Sequence, residues 1–306
     1  MKIYTITLNP AYDIHASAKT LSLGHENIAE VKSRDAGGKG INISRALTYN
    51  GVENTAIVVL GEDNCADFEN SLAADNITYI GIKKPGRIRE NLTVHTDDGE
   101  TRISFRGFTL DNSVLTEISS EICGDRETIV TFTGSVPKGV DMTEIKRFLI
   151  SLKAKGVKIV VDSRSFTLSD LTFVKPWLIK PNSEEIAEYS GKTVNDFSDC
   201  LEFAQKMNRE GIENVLISLG DKGALLVTNE TVATATPPHV SVLSTIGAGD
   251  STIAGFIASY AQGNSPEECL RTGVSYGTSA CLLEGTTPPT RENVAQIYQN
   301  TRVKNL

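Results

Sequence analysis

Short apolar, β-branched runs alternate along most of the chain with amphipathic stretches, and that alternation constrains the fold more than any other feature. Strands are expected at Lys2–Leu8, Asn54–Gly61, Thr128–Thr133, Val157–Asp162, Trp177–Lys180 and Val215–Leu219. Gly223–Thr228 reads as a hairpin partner of the last, across Asp221-Lys222-Gly223. Helices are expected at Gly40–Asn50, closed by Gly51, and at Asp63–Ala74, Met142–Lys155, Asp196–Glu210, Gly249–Gln262, Pro266–Leu283 and Arg291–Asn300. Strands separated by helices imply an α/β fold whose mostly parallel sheet is covered on both faces.

Two segments, roughly 11–35 and 87–108, break the pattern with short polar-alternating strands: His25–Ser33, then Asn91–His95 and Thr101–Phe105 across Asp97-Asp98-Gly99. They are either two surface excursions or one small sheet over the edge where the parallel strands end. Ligands of open α/β sheets bind beyond that edge. No linker or repeat divides the 306 residues, so a single domain with a discontinuous lid is expected.

The side chains sum to −8, 38 acidic against 30 basic, which disfavours nucleic acid as a partner. No apolar run approaches the roughly 20 residues of a membrane span, and the first ten residues read as a strand rather than a leader. Five cysteines without a C-x-x-C pair suit reduced thiols in the cytoplasm. Four histidines without H-x-x-x-H spacing give no local support for a His metal site or a His-based triad.

Glycine-rich turns that open helices carry the chemistry. Gly247-Ala248-Gly249-Asp250-Ser251 runs into an apolar helix, where exposed amides and the helix dipole make an anion site. Asp250 fits both a helix N-cap and a general base beside that site. Asp35-Ala-Gly37-Gly38-Lys39-Gly-Ile-Asn42 is a second such turn, with Lys39 able to reach a phosphate. Asp13 follows the first strand, placed either in a turn or facing sugar hydroxyls. Residues 83–106 hold six basic and four acidic side chains, a local +2 in an acidic protein. Arginine forks suit phosphate, and a strand starting by Arg87 would put Arg87, Arg89 and Asn91 on one face.

In order and spacing, Asn-Pro-Ala-Tyr-Asp13, Gly37-Gly38-Lys39-Gly-Ile-Asn42, Lys180-Pro-Asn182-Ser-Glu-Glu185, Ser218-Leu-Gly220-Asp221-Lys222-Gly223 and Thr245-Ile-Gly-Ala-Gly-Asp250-Ser resemble the ribokinase/PfkB carbohydrate kinases. The resemblance spans residues 3 to about 298 and is nearest the hexose-phosphate branch. That branch contains 1-phosphofructokinase, tagatose-6-phosphate kinase and the minor 6-phosphofructokinase.

The resemblance implies a ribokinase-like three-layer α/β/α fold with a β-sheet lid. It implies ATP-dependent phosphorylation of a ketohexose phosphate, with Asp250 as the base and the Gly247, Ala248 and Gly249 amides as the anion hole. Fructose 1-phosphate is the first expectation; tagatose 6-phosphate and fructose 6-phosphate are the alternatives. A silent sugar-phosphate-binding regulator is the alternative of another class. Asp13, Gly37, Gly38, Lys39, Asn42, Arg89, Asn91 and Ser135 would bind the sugar phosphate, with Arg102 and Arg106 as further candidates. Lys180, Asn182, Ser218, Gly220, Asp221, Lys222, Gly223 and Gly249 would bind ATP. Asn182 and Glu185 would hold Mg²⁺, partly through water, though the same pair reads equally as a helix capping box. A homodimer through the lid is implied. Where branch members carry Asn-Arg, this chain has Asn27-Ile28.

Overall fold

The protein is described by a computed structural model covering residues 1–191, 194 and 197–306. Its elements run β1 (Lys2–Thr7), β2 (Ala11–Ser17), β3 (Glu30–Gly37), α1 (Lys39–Tyr49), β4 (Thr55–Gly61), α2 (Cys65–Ala74), β5 (Tyr79–Lys84), β6 (Arg89–Thr96), β7 (Gly99–Ile103) and α3 (Ser113–Glu121). The chain continues through β8 (Thr128–Thr133), α4 (Met142–Ala154), β9 (Lys158–Asp162), α5 (Leu168–Val174), β10 (Leu178–Ile179), α6 (Ser183–Ser190), α7 (Phe197–Arg209), β11 (Asn214–Ser218), β12 (Ala224–Val227) and β13 (Val232–Thr236). It ends with α8 (Ala248–Ala261), α9 (Pro266–Ala280), α10 (Arg291–Asn300) and β14 (Arg302–Asn305).

The main sheet has the order β14-β13-β12-β11-β10-β9-β8-β1-β4-β5. The stretch from β11 to β5 is parallel throughout, and β12, β13 and β14 add an antiparallel edge. Its central strands are buried on both faces, so alternate residues enter different cores. Ile129, Val160, Leu178 and Leu216 pack with Leu47, Ile257 and Leu270 of α1, α8 and α9. Val130, Val161, Ile179 and Ile217 pack with Val114, Leu149, Leu171 and Phe203 of α3, α4, α5 and α7. The expected mostly parallel, two-sided sheet is what forms.

A separate sheet, ordered β3-β2-β6-β7, draws on both segments that interrupt the alternation. Tyr12 of β2 anchors it, buried edge-on against Phe68 of α2 at 5.2 Å with its hydroxyl donating to the Asn64 carbonyl. One expected strand is displaced: His25–Ser33 gives way to Glu30–Gly37. Asn27 closes the preceding turn, accepting from the Ser22 N–H at 2.7 Å and donating to the Ser22 and His25 carbonyls. The hairpin strand begins at Arg89, so Arg87 lies outside it and shares no strand face with Arg89 and Asn91.

The turn after β11 also differs from a plain hairpin. Gly220–Lys222 forms a 3₁₀ turn closed by the Leu219 N–H on the Gly223 carbonyl. Helices α3 and α5 and strands β2, β5, β13 and β14 were not expected, since each is brief or held mainly by its neighbours, whereas α6 follows the capping box read at Asn182. Asp196, the first residue of the expected helix Asp196–Glu210, lies outside the described residues; α7 begins at Phe197.

Helices α8 and α9 pack without room for added atoms. A methyl on Gly255 would lie 2.7 Å from the Tyr276 ring and 2.8 Å from the Thr272 carbonyl oxygen. Gly255→Ala should therefore destabilise the protein by about 1–3 kcal/mol through overpacking. A denaturation midpoint equal to wild type would show slack between the two helices.

Candidate active site

Two cavities meet where α8 begins. The first, about 660 Å³, lies between the ends of β1, β8 and β9 and the small sheet; it takes in Asp13, Gly38, Lys39, Asn42, Arg89, Asn91, Ser135 and Asp250. The second, about 540 Å³, lies on the other side of the α8 start. Asn182, Ser218, Thr245 and Gly249 border both. Gly220, Asp221, Gly223 and Ala248 line the second, whose other wall is apolar, including Pro238, Val240, Val242 and Val274.

Local chain geometry builds the junction. Gly247 caps α8 with φ 77°, a left-handed value that favours glycine. The Ala248 N–H is turned onto the Thr245 carbonyl at 3.3 Å. Among the described residues the N–H groups of Gly247, Gly249 and Asp250 have no acceptor in the protein. The donor set at this helix start is therefore Gly247, Gly249 and Asp250 rather than the expected Gly247–Gly249. Gly249 must be small for contact: a Cβ there would sit 3.0 Å from the Lys180 Nζ.

Asp250 is 6% exposed and does not act as the helix cap. Its Oδ2 accepts from Asn42 Nδ2 at 2.9 Å. Burial pushes its pKa up to about 6; Lys39 opposes the rise, Asp162 adds to it, and the Asn42 bond and Lys180 oppose it. The carboxyl is thus poised to change charge near neutral pH, as a general base should.

Asp162, at the end of β9, was not singled out in the sequence. Its buried Oδ2 takes Lys39 Nζ at 2.8 Å, and its Oδ1 faces Lys180 Nζ at 3.9 Å. Burial would lower the pKa of Lys39, but the charges of Asp162, Asp250 and Glu185, with the Asp162 hydrogen bond, together outweigh it and drive it well above the ordinary lysine value. The Lys39 ammonium is therefore held charged beside Asp250. The signal was present: an acidic residue directly after an apolar parallel strand, as with Asp13. Asn9 and Arg164 were also missed. Asn9 donates to Ser135 Oγ at 2.8 Å and offers its carbonyl to Arg89, and Arg164 reaches Glu185 at 3.4 Å.

Asp13 Oδ1 accepts from Asn91 Nδ2 at 2.9 Å and from Arg102 at 3.2 Å. A Cβ on Gly37 would fall 2.1 Å from Asp13 Oδ2, so Gly37 makes room for that carboxylate and borders neither cavity. Lys222 and Arg106 are exposed and also border neither. Ile28 is 88% exposed.

The basic segment resolves into partners. Lys83, Lys84, Arg87 and Arg102 face Glu69, Glu117, Glu90 and Asp13. Among the described residues Arg89 is part-buried and donates to the Phe105 and Asn9 carbonyls alone, with its Nε buried and unpartnered. Burial lowers its pKa, partly offset by Asp13.

Asn182 caps α6 through a reciprocal box with Glu185, at 2.8 and 3.1 Å. No cluster of three or more His, Cys, Asp or Glu groups suited to a metal occurs among the described residues. One carboxylate and one amide oxygen beside a phosphate site still suit Mg²⁺, which keeps most of its waters.

The raised pKa of Asp250 has a stability consequence. A carboxyl whose folded pKa exceeds its unfolded value favours the folded state below the unfolded value, and that contribution is lost as pH rises through about 6. Asp250→Asn should be more stable than wild type at pH 8, by on the order of 1–3 kcal/mol, and lose that advantage near pH 4. Urea titrations at the two pH values measure it; equal stability at pH 8 would refute the buried charge.

The chain matches the pfkB family carbohydrate kinases over residues 9–293. It is 36% identical over 273 residues to the 1-phosphofructokinase of Haemophilus influenzae, covering 88% of this chain and 87% of that protein. It is 30% identical over 308 residues to the 1-phosphofructokinase of Bacillus subtilis, covering 99% of this chain and all of that protein. The fold superposes on the crystal structure of phosphofructokinase-2 from Escherichia coli in complex with substrates and products with a TM-score of 0.91, at 28% identity, over 98% of this chain and 99% of that one.

Proposed function

The chain belongs to the pfkB family of carbohydrate kinases, and on that premise we propose that it transfers the γ-phosphoryl group of ATP to the 6-hydroxyl of fructose 1-phosphate, giving fructose 1,6-bisphosphate and ADP. The observation that carries this reading is the pairing of Arg89 with Asp250 across one cavity. Arg89 is a part-buried guanidinium with no carboxylate in ion-pair reach among the described residues, and Asp250 is a buried carboxyl lining the same cavity. A phosphate on the sugar would supply the anion that Arg89 lacks and orient the far hydroxyl toward Asp250. A silent regulator would have no use for a base kept charged at such cost.

Phosphoryl transfer needs position and charge stabilisation more than covalent help. The 540 Å³ cavity takes the nucleotide, with its base against Pro238, Val240 and Val242 and its phosphates toward the α8 start. The Asp13 and Asn91 side chains hold sugar hydroxyls. Asp250 accepts the proton of the 6-hydroxyl as that oxygen attacks phosphorus, and the bond to ADP breaks on the opposite side. The proton later leaves to solvent. Amides of Gly247, Gly249 and Asp250, with Lys39 and Lys180, receive the charge of the moving group. Preorganised donors of this kind are worth about 3–4 kcal/mol each. Asn182 and Glu185 would hold Mg²⁺, which neutralises phosphate charge when bound.

A panel of fructose 1-phosphate, fructose 6-phosphate and tagatose 6-phosphate in an ADP-release assay tests the reading, with fructose 1-phosphate expected to give the highest kcat/KM. Activity should fall on the acid side with a midpoint near 6 and vanish in Asp250→Asn. Arg89→Ala should raise KM for the sugar phosphate about 10–100-fold, from the loss of a charged hydrogen bond. Preference for another sugar, or an unchanged KM, would overturn the assignment.

Among the described residues no helix is long and apolar enough to cross a membrane, and no disulfide joins the cysteines. We place the protein in the cytoplasm with its small-molecule substrates. The small sheet is read as a lid, and as the surface of a homodimer. Leu23, Ile28, Val31 and Phe105 are exposed on or beside it, an apolar cost that a second copy would relieve. Light scattering should give twice the mass of the 306-residue chain, and Val31→Asp should release monomer. A wild-type monomer at assay concentration would refute the dimer.

A further inference from the structure

Asn42 can serve Asp250 only in one of its two amide orientations. Turned one way it offers N–H to the carboxylate; turned the other way it presents a carbonyl oxygen and repels it. The ionised carboxylate favours the first, and a group that holds the amide oxygen locks it there even when the carboxyl takes up a proton.

Arg45 is such a group. It follows Asn42 by one helical turn on α1 and is 5% exposed. Its Nη1 lies 3.3 Å from Asn42 Oδ1. A guanidinium has donors and no acceptor, so the amide atom facing it must be the oxygen, and the NH₂ is left for Asp250 Oδ2 at 2.9 Å. The guanidinium is itself fixed. Its Nε donates to Asp75 Oδ2 at 2.8 Å, and its Nη2 donates to the Ala36 carbonyl at 2.7 Å. Asp75 caps the C-terminal end of α2, and Ala36 is the penultimate residue of strand β3, before Gly37.

We infer that Arg45 is a positioning residue for the transfer reaction, acting through Asn42: clamped by Asp75 and the Ala36 carbonyl, it locks the Asn42 amide with its NH₂ on the catalytic carboxylate. The inference rests on the role of Asp250 proposed above. The other groups facing Asp250 are Lys39 from α1, Asp162 from β9 and Lys180 after β10. None of them touches Arg45 within hydrogen-bond or ion-pair reach. The route to the base therefore runs through the amide alone. The Ala36 bond also ties the small sheet to the orientation of that amide.

A double-mutant cycle tests it, using Arg45→Lys, which keeps the charge beside Asp75 but cannot span Asp75, Ala36 and Asn42 together. Variants are assayed on whichever of the three ketohexose phosphates wild type turns over fastest, so an error in the assigned sugar does not blur the result. Arg45→Lys should lower kcat about tenfold with KM for the sugar within threefold, and Arg45→Met more; the acid limb should move above wild type as the Asn42 bond is lost. In an Asn42→Ala background, Arg45→Lys should change kcat less than twofold. Equal losses in both backgrounds, or an unmoved acid limb, would overturn the inference and leave Arg45 a packing residue. The carboxyl carbon-13 resonance of Asp250, followed through pH in wild type and Arg45→Lys, gives a readout independent of turnover. A higher midpoint in the variant supports the inference and an identical one overturns it, even if no sugar is phosphorylated.

Discussion

One carboxylate must stay usable inside the protein, and most of the junction exists to manage that. Taking Asp250 out of water disfavours its charged form, and unopposed burial can move a carboxyl by several pH units. Here the rise stops near 6. Two lysines and an amide oppose burial, while Asp162 works with it. Asp162 looks misplaced until its partners are counted. Without it, Lys39 and Lys180 would stand together uncompensated, and each is a long chain with roughly 2 kcal/mol of rotamer entropy to lose. At an effective dielectric near 20, unit charges 4 Å apart interact by about 4 kcal/mol, so the same carboxylate that raises Asp250 also holds in place the cations that lower it. The balance leaves a carboxylate that is charged at neutral pH yet still able to take a proton, as the role proposed for it requires.

That balance requires short distances, and glycines supply them. Gly249 lets Lys180 approach the α8 start, and Gly37 lets the Asp13 carboxylate lie under β3. Gly255 and Gly277 bring α9 against α8, where a Cβ on Gly277 would fall 2.2 Å from Thr252 Oγ1. A helix pressed this closely onto its neighbour cannot shift without collision. The position of its first turn, and so of Asp250, follows from packing at Thr252 and Gly255, within the first three turns of α8.

The sheet, its two-sided cores and the glycine turns were legible because they are written in local periodicity. Val-Val-Asp162 at the end of β9 was just as local, but one acidic residue after a strand is common, and its importance comes from two lysines distant in the chain. The displaced strand fails for a similar reason. His25–Ser33 has suitable alternation, yet register is decided by pairing Gly37 with Ala11 beneath the Asp13 carboxylate, and Asn27 is spent on its own turn. Short elements such as β10, with two residues, carry too little pattern to be delimited and are held by the strands on either side. The capping box of Asn182 and Glu185 was readable and forms.

The charge of the chain shows why counting residues is a poor guide to what a site binds. A total of −8 argues against anions, and six basic residues in one segment argue for them. Neither sum decides the matter. Four of the six are answered by carboxylates nearby, so their charge is largely spent within the protein, and Arg106 stands in solvent, where an unpaired charge costs little. Arg89 differs because it is part-buried against carbonyl dipoles, which stabilise a guanidinium less than an anion would. A cation left in that condition gains most from a ligand that brings negative charge. Arg89 is thus the arginine of this segment with most to gain from the phosphate of the substrate proposed above, and it lines the same cavity as Asp250.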